Sequence, residues 1–246
     1  MNWIQPNWPA PTNIRAVSTT REGGVSASPF DSLNVGKHVG DNPADVDHNR
    51  AVLADVMGMP SPPAWLNQVH GTEVISLPLS SASNVPDADA SFTSSPDHVC
   101  VVMTADCLPV LFCNEAGTQV GAAHAGWRGL VNGVLEQTLA KFDDTSEVMA
   151  WMGPAIGASE FEVGSEVREQ FIASHPEAHY AFQPHKDRWL ADIYLLAKQR
   201  LAMAGVTKVY GGEYCTVSDP QRFFSYRREN CTGRQAVAFG FLRIKR

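Results

Sequence analysis

Three short segments of this 246-residue chain set reactive side chains where apolar, strand-like runs stop. In Asn67-Gln68-Val69-His70-Gly71, a histidine sits beside a glycine just after Trp65-Leu66. In Thr104-Ala105-Asp106-Cys107, an acid and a thiol fall between two apolar runs. In Ala123-His124-Ala125-Gly126-Trp127-Arg128-Gly129, a histidine ends a strand and a glycine-rich turn opens a helix. Two histidines and one cysteine form a His2Cys set with a fourth tetrahedral position left for water or substrate, the pattern of a catalytic rather than a structural zinc site. The three lie 37 and 17 residues apart, which matches no local zinc-finger spacing, so only the fold can bring them together. The same residues also allow a metal-free reading. Cys107 would be a nucleophile and His124 its base, with Asp106 or a backbone carbonyl orienting the imidazole.

Two further segments bear on anions and bases. Gly121 and Gly126 have P-loop spacing, but Trp127-Arg128 replaces the Lys-Ser/Thr that triphosphate binding requires, which excludes that chemistry. Free N–H groups at the start of the following helix, with Arg128 adjacent, suit one phosphate or carboxylate; a surface ion pair is the plainer alternative for Arg128. Phe223-Phe224-Ser225-Tyr226-Arg227-Arg228-Glu229 sets aromatics beside two arginines, fit to stack on a base or hold an anion, or simply to form a strand. His175, His179 and His185 fall in a proline-broken polar segment and are read as surface residues.

The elements that must position these groups follow from hydrophobic periodicity. Val99–Met103, Leu108–Cys113 and Thr118–His124 read as buried strands, with Pro109 near a strand start. A helix then carries Leu130, Val131, Val134, Leu135, Leu139 and Phe142 on one face. A second helix covers Glu166–Ala173, and a third runs from an Asp187 N-cap to Gly205. Strands resume at Lys208–Tyr210 and Ala236–Phe241. Residues 80–87 and 175–187 read as loops. Strands and helices mix without strict alternation, which predicts an α+β fold in one domain, 1–246.

Composition narrows the function. With 19 basic and 26 acidic side chains the net charge is −7, which argues against a nucleic-acid partner but not against a small anion in a locally cationic pocket. No apolar run approaches the ~18 residues of a membrane span, and Met1–Pro6 lacks a signal-peptide pattern, so a cytoplasmic protein is expected. Five scattered cysteines without a C-x-x-C fit reduced thiols.

Together the segments resemble the YfiH-like family, labelled laccase-domain or multicopper polyphenol oxidoreductase and also described as purine nucleoside phosphorylases. The resemblance rests on Thr19–Ser26, Ser32–His38, Asn67–Gly71, Met103–Val110, His124–Gly129, Gly153–Gly157 and Phe224–Arg228. It implies a four-layer α/β/β/α sandwich of the type seen in cytotoxic necrotizing factor deamidases, and a zinc held by His70, Cys107 and His124. It also implies phosphorolysis of adenosine, inosine and methylthioadenosine, with accessory adenosine deamination. For bacterial relatives it further implies a cytoplasmic amidase that edits a UDP-muramyl precursor carrying Ser. On this reading Arg128 or Arg228 orients phosphate, Asp106 moves a proton or orients a ligand histidine, and Gln68, Asn34 and His38 contact substrate. A monomer is expected. Copper is expected only as an adventitious or alternative metal, since the eight histidines include no His-x-His pair and laccases need several coppers.

Overall fold

The computed structural model describes residues 2–79 and 85–241, so part of the loop expected at 80–87 lies outside the described residues. In chain order the elements are β1 (Ile14–Ser18), α1 (Pro43–Met57), β2 (Val74–Ser76), β3 (Ala90–Thr93), β4 (Val99–Thr104), β5 (Leu108–Asn114) and β6 (Val120–Ala125). They continue with α2 (Trp127–Asn132), α3 (Val134–Leu139), β7 (Val148–Met152), β8 (Glu162–Val163), α4 (Ser165–Ser174), β9 (Phe182–His185) and β10 (Arg188–Ala191). The last four are α5 (Ile193–Met203), β11 (Lys208–Gly211), α6 (Tyr226–Glu229) and β12 (Gln235–Phe241).

Two sheets carry the core. The larger has the order β11-β7-β5-β6-β3-β2, and the smaller the order β1-β12-β4. Every position of β4, β5, β6, β7 and β12 is buried, because both faces of each sheet are covered. Leu111, Val120, Ala122 and Trp151 of the large sheet meet Cys100, Val102, Val237 and Phe239 of the small one. The other face of the large sheet buries Val110, Phe112 and Ala123 under α2–α5. The outer face of the small sheet packs Val99, Val101 and Ala238 on Leu53 and Met57 of α1. The elements therefore stack as helix, sheet, sheet, helices. A third sheet, β8-β10-β9, flanks α4.

The strands β4, β5 and β6 match their sequence expectation, and four other segments differ from theirs. The helix after β6 breaks at Gly133, whose φ of 99° caps α2 and starts α3. The helix expected from Asp187 begins at Ile193. Arg188–Ala191 instead pairs with β8 and β9, and Asp192 is the N-cap, its Oδ1 accepting from the Leu195 N–H at 2.9 Å. Cross-strand pairing outweighs the helical periodicity of Trp189 because Trp and Leu also suit a half-buried strand. Finally, Tyr226–Glu229 is a helical turn capped by Ser225 rather than a strand, and His175–Asp187 contains a 3-10 helix (Pro176–Ala181) and β9.

Candidate metal centre

His124 lies near the end of β6, Cys107 immediately before β5, and His70 in the loop leading to β2. The antiparallel pairing of β5 with β6 sets Leu108 opposite Ala125, which draws Cys107 and His124 to one end of the large sheet. The ligating atoms of His70, Cys107 and His124 lie within 4.8 Å of one another. Cys107 Sγ is 3.8 Å from His70 Nε2, and the two imidazoles meet edge to face at 4.9 Å between centroids. Zinc bonds of about 2.3 Å to sulfur and 2.0–2.1 Å to nitrogen require tetrahedral ligand separations of roughly 3.6 Å, so this donor set fits a metal ion.

Asp89, a residue the sequence reading did not single out, organises both histidines. Its fully buried carboxylate accepts from the backbone N–H groups of Val69 (3.1 Å), His70 (3.0 Å) and Gly71 (2.7 Å). It also accepts from His124 Nδ1 at 2.8 Å, which leaves Nε2 of that ring as the metal-facing atom. Burial alone would raise the carboxyl pKa, but these donors outweigh it and hold Asp89 below the usual carboxylate value. His70 itself has φ 61°, a conformation that three amides on one carboxylate can maintain. The only sequence signal for Asp89 is the second of two acids in Asp87-Ala88-Asp89-Ala90, at the mouth of a strand.

Burial likewise pushes the Cys107 thiol up, and the neighbouring His124 and His70 overcome it and bring the thiol below its ordinary value. His124 moves the opposite way: burial lowers it, and Cys107 and Asp89 lift it above the usual imidazole value. Cys100 and Cys113, buried without such partners, are pushed up to about 12 and are packing residues. Gly126 must be glycine, because a Cβ there would meet His70 Cδ2 at 2.8 Å and Cys107 Sγ at 3.1 Å.

The three ligands open onto a cavity of about 340 Å³, also lined by His38, Gln68, Met103, Thr104, Ala105, Tyr226 and Arg234. Gln68 holds its loop to β4, donating to Met103 O (2.8 Å) and accepting from Met103 N (2.7 Å). Burial first, and then Arg234 and Arg50, lower the His38 pKa below the usual imidazole value. A larger cavity of about 540 Å³ lies along the N-terminal segment beside Trp3 and Trp8, but its wall has no histidine, cysteine or carboxylate. The smaller one is the candidate site.

Other expected site residues sit elsewhere. Asp106 does not orient a histidine. Its Oδ1 accepts from Thr216 Oγ1 (2.6 Å) and its Oδ2 from the Arg227 N–H (2.7 Å), pinning a turn of φ 90° just before Cys107. Asn34 is fully buried and does not line the cavity; its amide bonds Gly36, Asp41 and the Arg234 N–H. Arg128 is exposed, its guanidinium 4.4 Å from the Trp127 ring. Arg228 spends its donors on the carbonyls of Thr216, Val217 and Phe223 and on Glu229. Neither arginine lines the cavity. Arg234 and Tyr226 do; sequence reasoning missed Arg234, while Tyr226 belongs to the aromatic and arginine segment read as fit to stack on a base. Arg234 had only the signal of a charge between Gly233 and an apolar strand.

A mixed α/β fold with a His2Cys set at one end of its larger sheet defines a recognisable class. Residues 15–241 match the family described as multi-copper polyphenol oxidoreductase laccase, and the chain belongs to that YfiH-like family. It is 55% identical over 237 residues, covering 95% of this chain and 96% of the relative, to the Escherichia coli (strain K12) protein called purine nucleoside phosphorylase YfiH. A Haemophilus influenzae purine nucleoside phosphorylase is 50% identical over 245 residues, 98% of this chain and 100% of that one. Among solved structures, a Neisseria meningitidis protein superposes with a TM-score of 0.94 at 48% identity, covering 98% and 99% of the two chains. YlmD from Geobacillus stearothermophilus gives 0.90 at 31%, covering 98% and 96%.

Proposed function

We propose that this protein is a zinc-dependent enzyme that cleaves purine nucleosides with phosphate at the His70–Cys107–His124 centre. The observation that carries the reading is the donor set itself: three ligands, one of them a thiolate-prone cysteine, gathered at the wall of a cavity large enough for a small molecule. The names of the Escherichia coli and Haemophilus influenzae relatives support the reaction class. A zinc held by His70, Cys107 and His124 would supply Lewis-acid charge to a substrate oxygen.

In the reaction a phosphate oxygen bonds to C1′ of the sugar while the C1′–N9 bond breaks. The electron pair leaves on N9, which takes the proton given up by the phosphate, so base and pentose 1-phosphate are the products. The chain's own part is positioning. Asp89 orients both imidazoles, Asp106 and Thr216 fix the turn that presents Cys107, and Gln68 ties the His70 loop to β4. Tyr226, 54% exposed at the cavity, offers a ring face to the base. Among the described residues this is the one group of three ligands able to hold a metal, and residues 1, 80–84 and 242–246 include no His, Cys, Asp or Glu. That count suits one zinc better than a multicopper centre. Incubation with inosine or adenosine and phosphate tests the reading: phosphate-dependent release of the base and ribose 1-phosphate is expected. No release, or ammonia as the sole product from adenosine, contradicts it.

A further inference from the structure

The cavity contains an arginine with no carboxylate in direct contact, although Cys107 and Asp106 act on it electrostatically. Arg234 lines it, yet no carboxylate oxygen of the described residues comes within 4.0 Å of its guanidinium. Its Nη1 donates to Thr232 O (3.1 Å) and Gly233 O (3.0 Å), while Nε and Nη2 have no protein partner among the described residues. Those two nitrogens form the edge of the guanidinium that takes two oxygens of an oxyanion side by side. A half-buried, unpaired arginine is costly unless something of opposite charge completes it.

The side chain is also held in place before any ligand arrives. The Arg234 N–H donates to Asn34 Oδ1 (2.9 Å), and Val35 N donates to Arg234 O (3.1 Å). A Cβ on Gly36 would meet Arg234 Cγ at 2.8 Å, so the aliphatic stem lies directly on that glycine. One on Gly233 would meet Asn34 Cβ at 2.9 Å and the Phe224 ring at 2.7 Å. Ser32–His38, expected above to touch substrate through Asn34 and His38, serves through Asn34 as the seat of Arg234 and carries His38 into the same cavity. Burial, Arg234 and Arg50 all lower the His38 pKa and so favour its uncharged form.

We propose that Arg234 is the phosphate-holding residue of this site, preformed by the Asn34–Gly36 turn, and that the anion it takes is inorganic phosphate. The identity of the anion rests on the phosphorolytic reading above; the existence of an oxyanion subsite does not. Such a fork fixes the attacking phosphate rather than the nucleoside, so its loss acts on one substrate and spares the other.

The test uses metal-loaded protein and the variants Arg234→Gln and Arg234→Lys. In Arg234→Gln the phosphate KM should rise about 10- to 100-fold while inosine KM and zinc content hold, and the rise in Tm that phosphate gives the wild type should vanish. Arg234→Lys keeps stem and charge but loses the fork, so it should fold normally with a smaller rise in phosphate KM. An unchanged phosphate KM and phosphate-induced Tm shift in a zinc-loaded Arg234→Gln variant overturns the subsite. Selective loss of activity on inosine 5′-monophosphate, with phosphate KM unmoved, overturns the assignment to inorganic phosphate. If the wild type releases no base, the functional reading fails, and the Arg234-dependent Tm shift with phosphate alone still decides the subsite.

Discussion

Asp89 concentrates more of this site than any single ligand does. Four donors converge on one buried carboxylate, and two of the residues supplying them are the candidate ligand histidines. Asp89→Asn removes the charge and turns one acceptor oxygen into a donor facing other donors. We expect zinc affinity to fall about 10- to 100-fold, read by competition with a chromophoric chelator; unchanged affinity would deny Asp89 this role. His70, Cys107 and His124 were legible because each interrupts an apolar run, where a reactive side chain has no packing reason to be. Asp89 was not, since an acid in Asp87-Ala88-Asp89 also reads as ordinary turn chemistry. Arg128, Arg228 and Asn34 misled for a related reason. Sequence gives a charge or an amide but not the carbonyls, rings and N–H groups that occupy it, and in this fold those partners are contributed by residues up to 200 positions away.

At the level of elements, buried strands were the most readable feature and boundaries set by backbone geometry the least. β4, β5, β6 and β12 are buried throughout and mostly apolar because both faces of each sheet are covered. The break between α2 and α3 shows the opposite case: the periodicity runs through it unbroken, and one glycine in a left-handed conformation ends the helix. A Cβ at Gly133 meets nothing closer than 3.5 Å, so Gly133→Ala should cost only the backbone strain, about 1–2 kcal/mol. Thermal denaturation should show a Tm lower by roughly 2–4 °C per kcal/mol, with zinc content intact. The strand at Arg188–Ala191 was unreadable because its partners, β8 and β9, are short and separated from it by a tight turn and a helix.

For the whole molecule, the two-sheet stack holds the centre in place. Leu111 is fully buried between the sheets, far from the ligands in role though on the same strand that Cys107 precedes. Leu111→Ala should destabilise the fold by about 2–5 kcal/mol in chemical denaturation while leaving zinc stoichiometry unchanged; loss of zinc in the folded variant would mean the core and the centre are not separable. The net charge of −7 now reads as background to a cavity whose own charge comes from Arg234, with Arg50 nearby. The α+β class was legible from the mixture of runs. The order of the layers came only through the family resemblance, because it depends on which face of each sheet meets which helix, and runs buried on both faces look alike in sequence.

The most direct measurement pairs metal content with turnover in Cys107→Ala, purified without added copper. One zinc per chain and phosphate-dependent base release are expected in the wild type, and both should be lost together in the folded variant. A Cys107→Ala protein that keeps its zinc and its full rate on inosine would contradict the account.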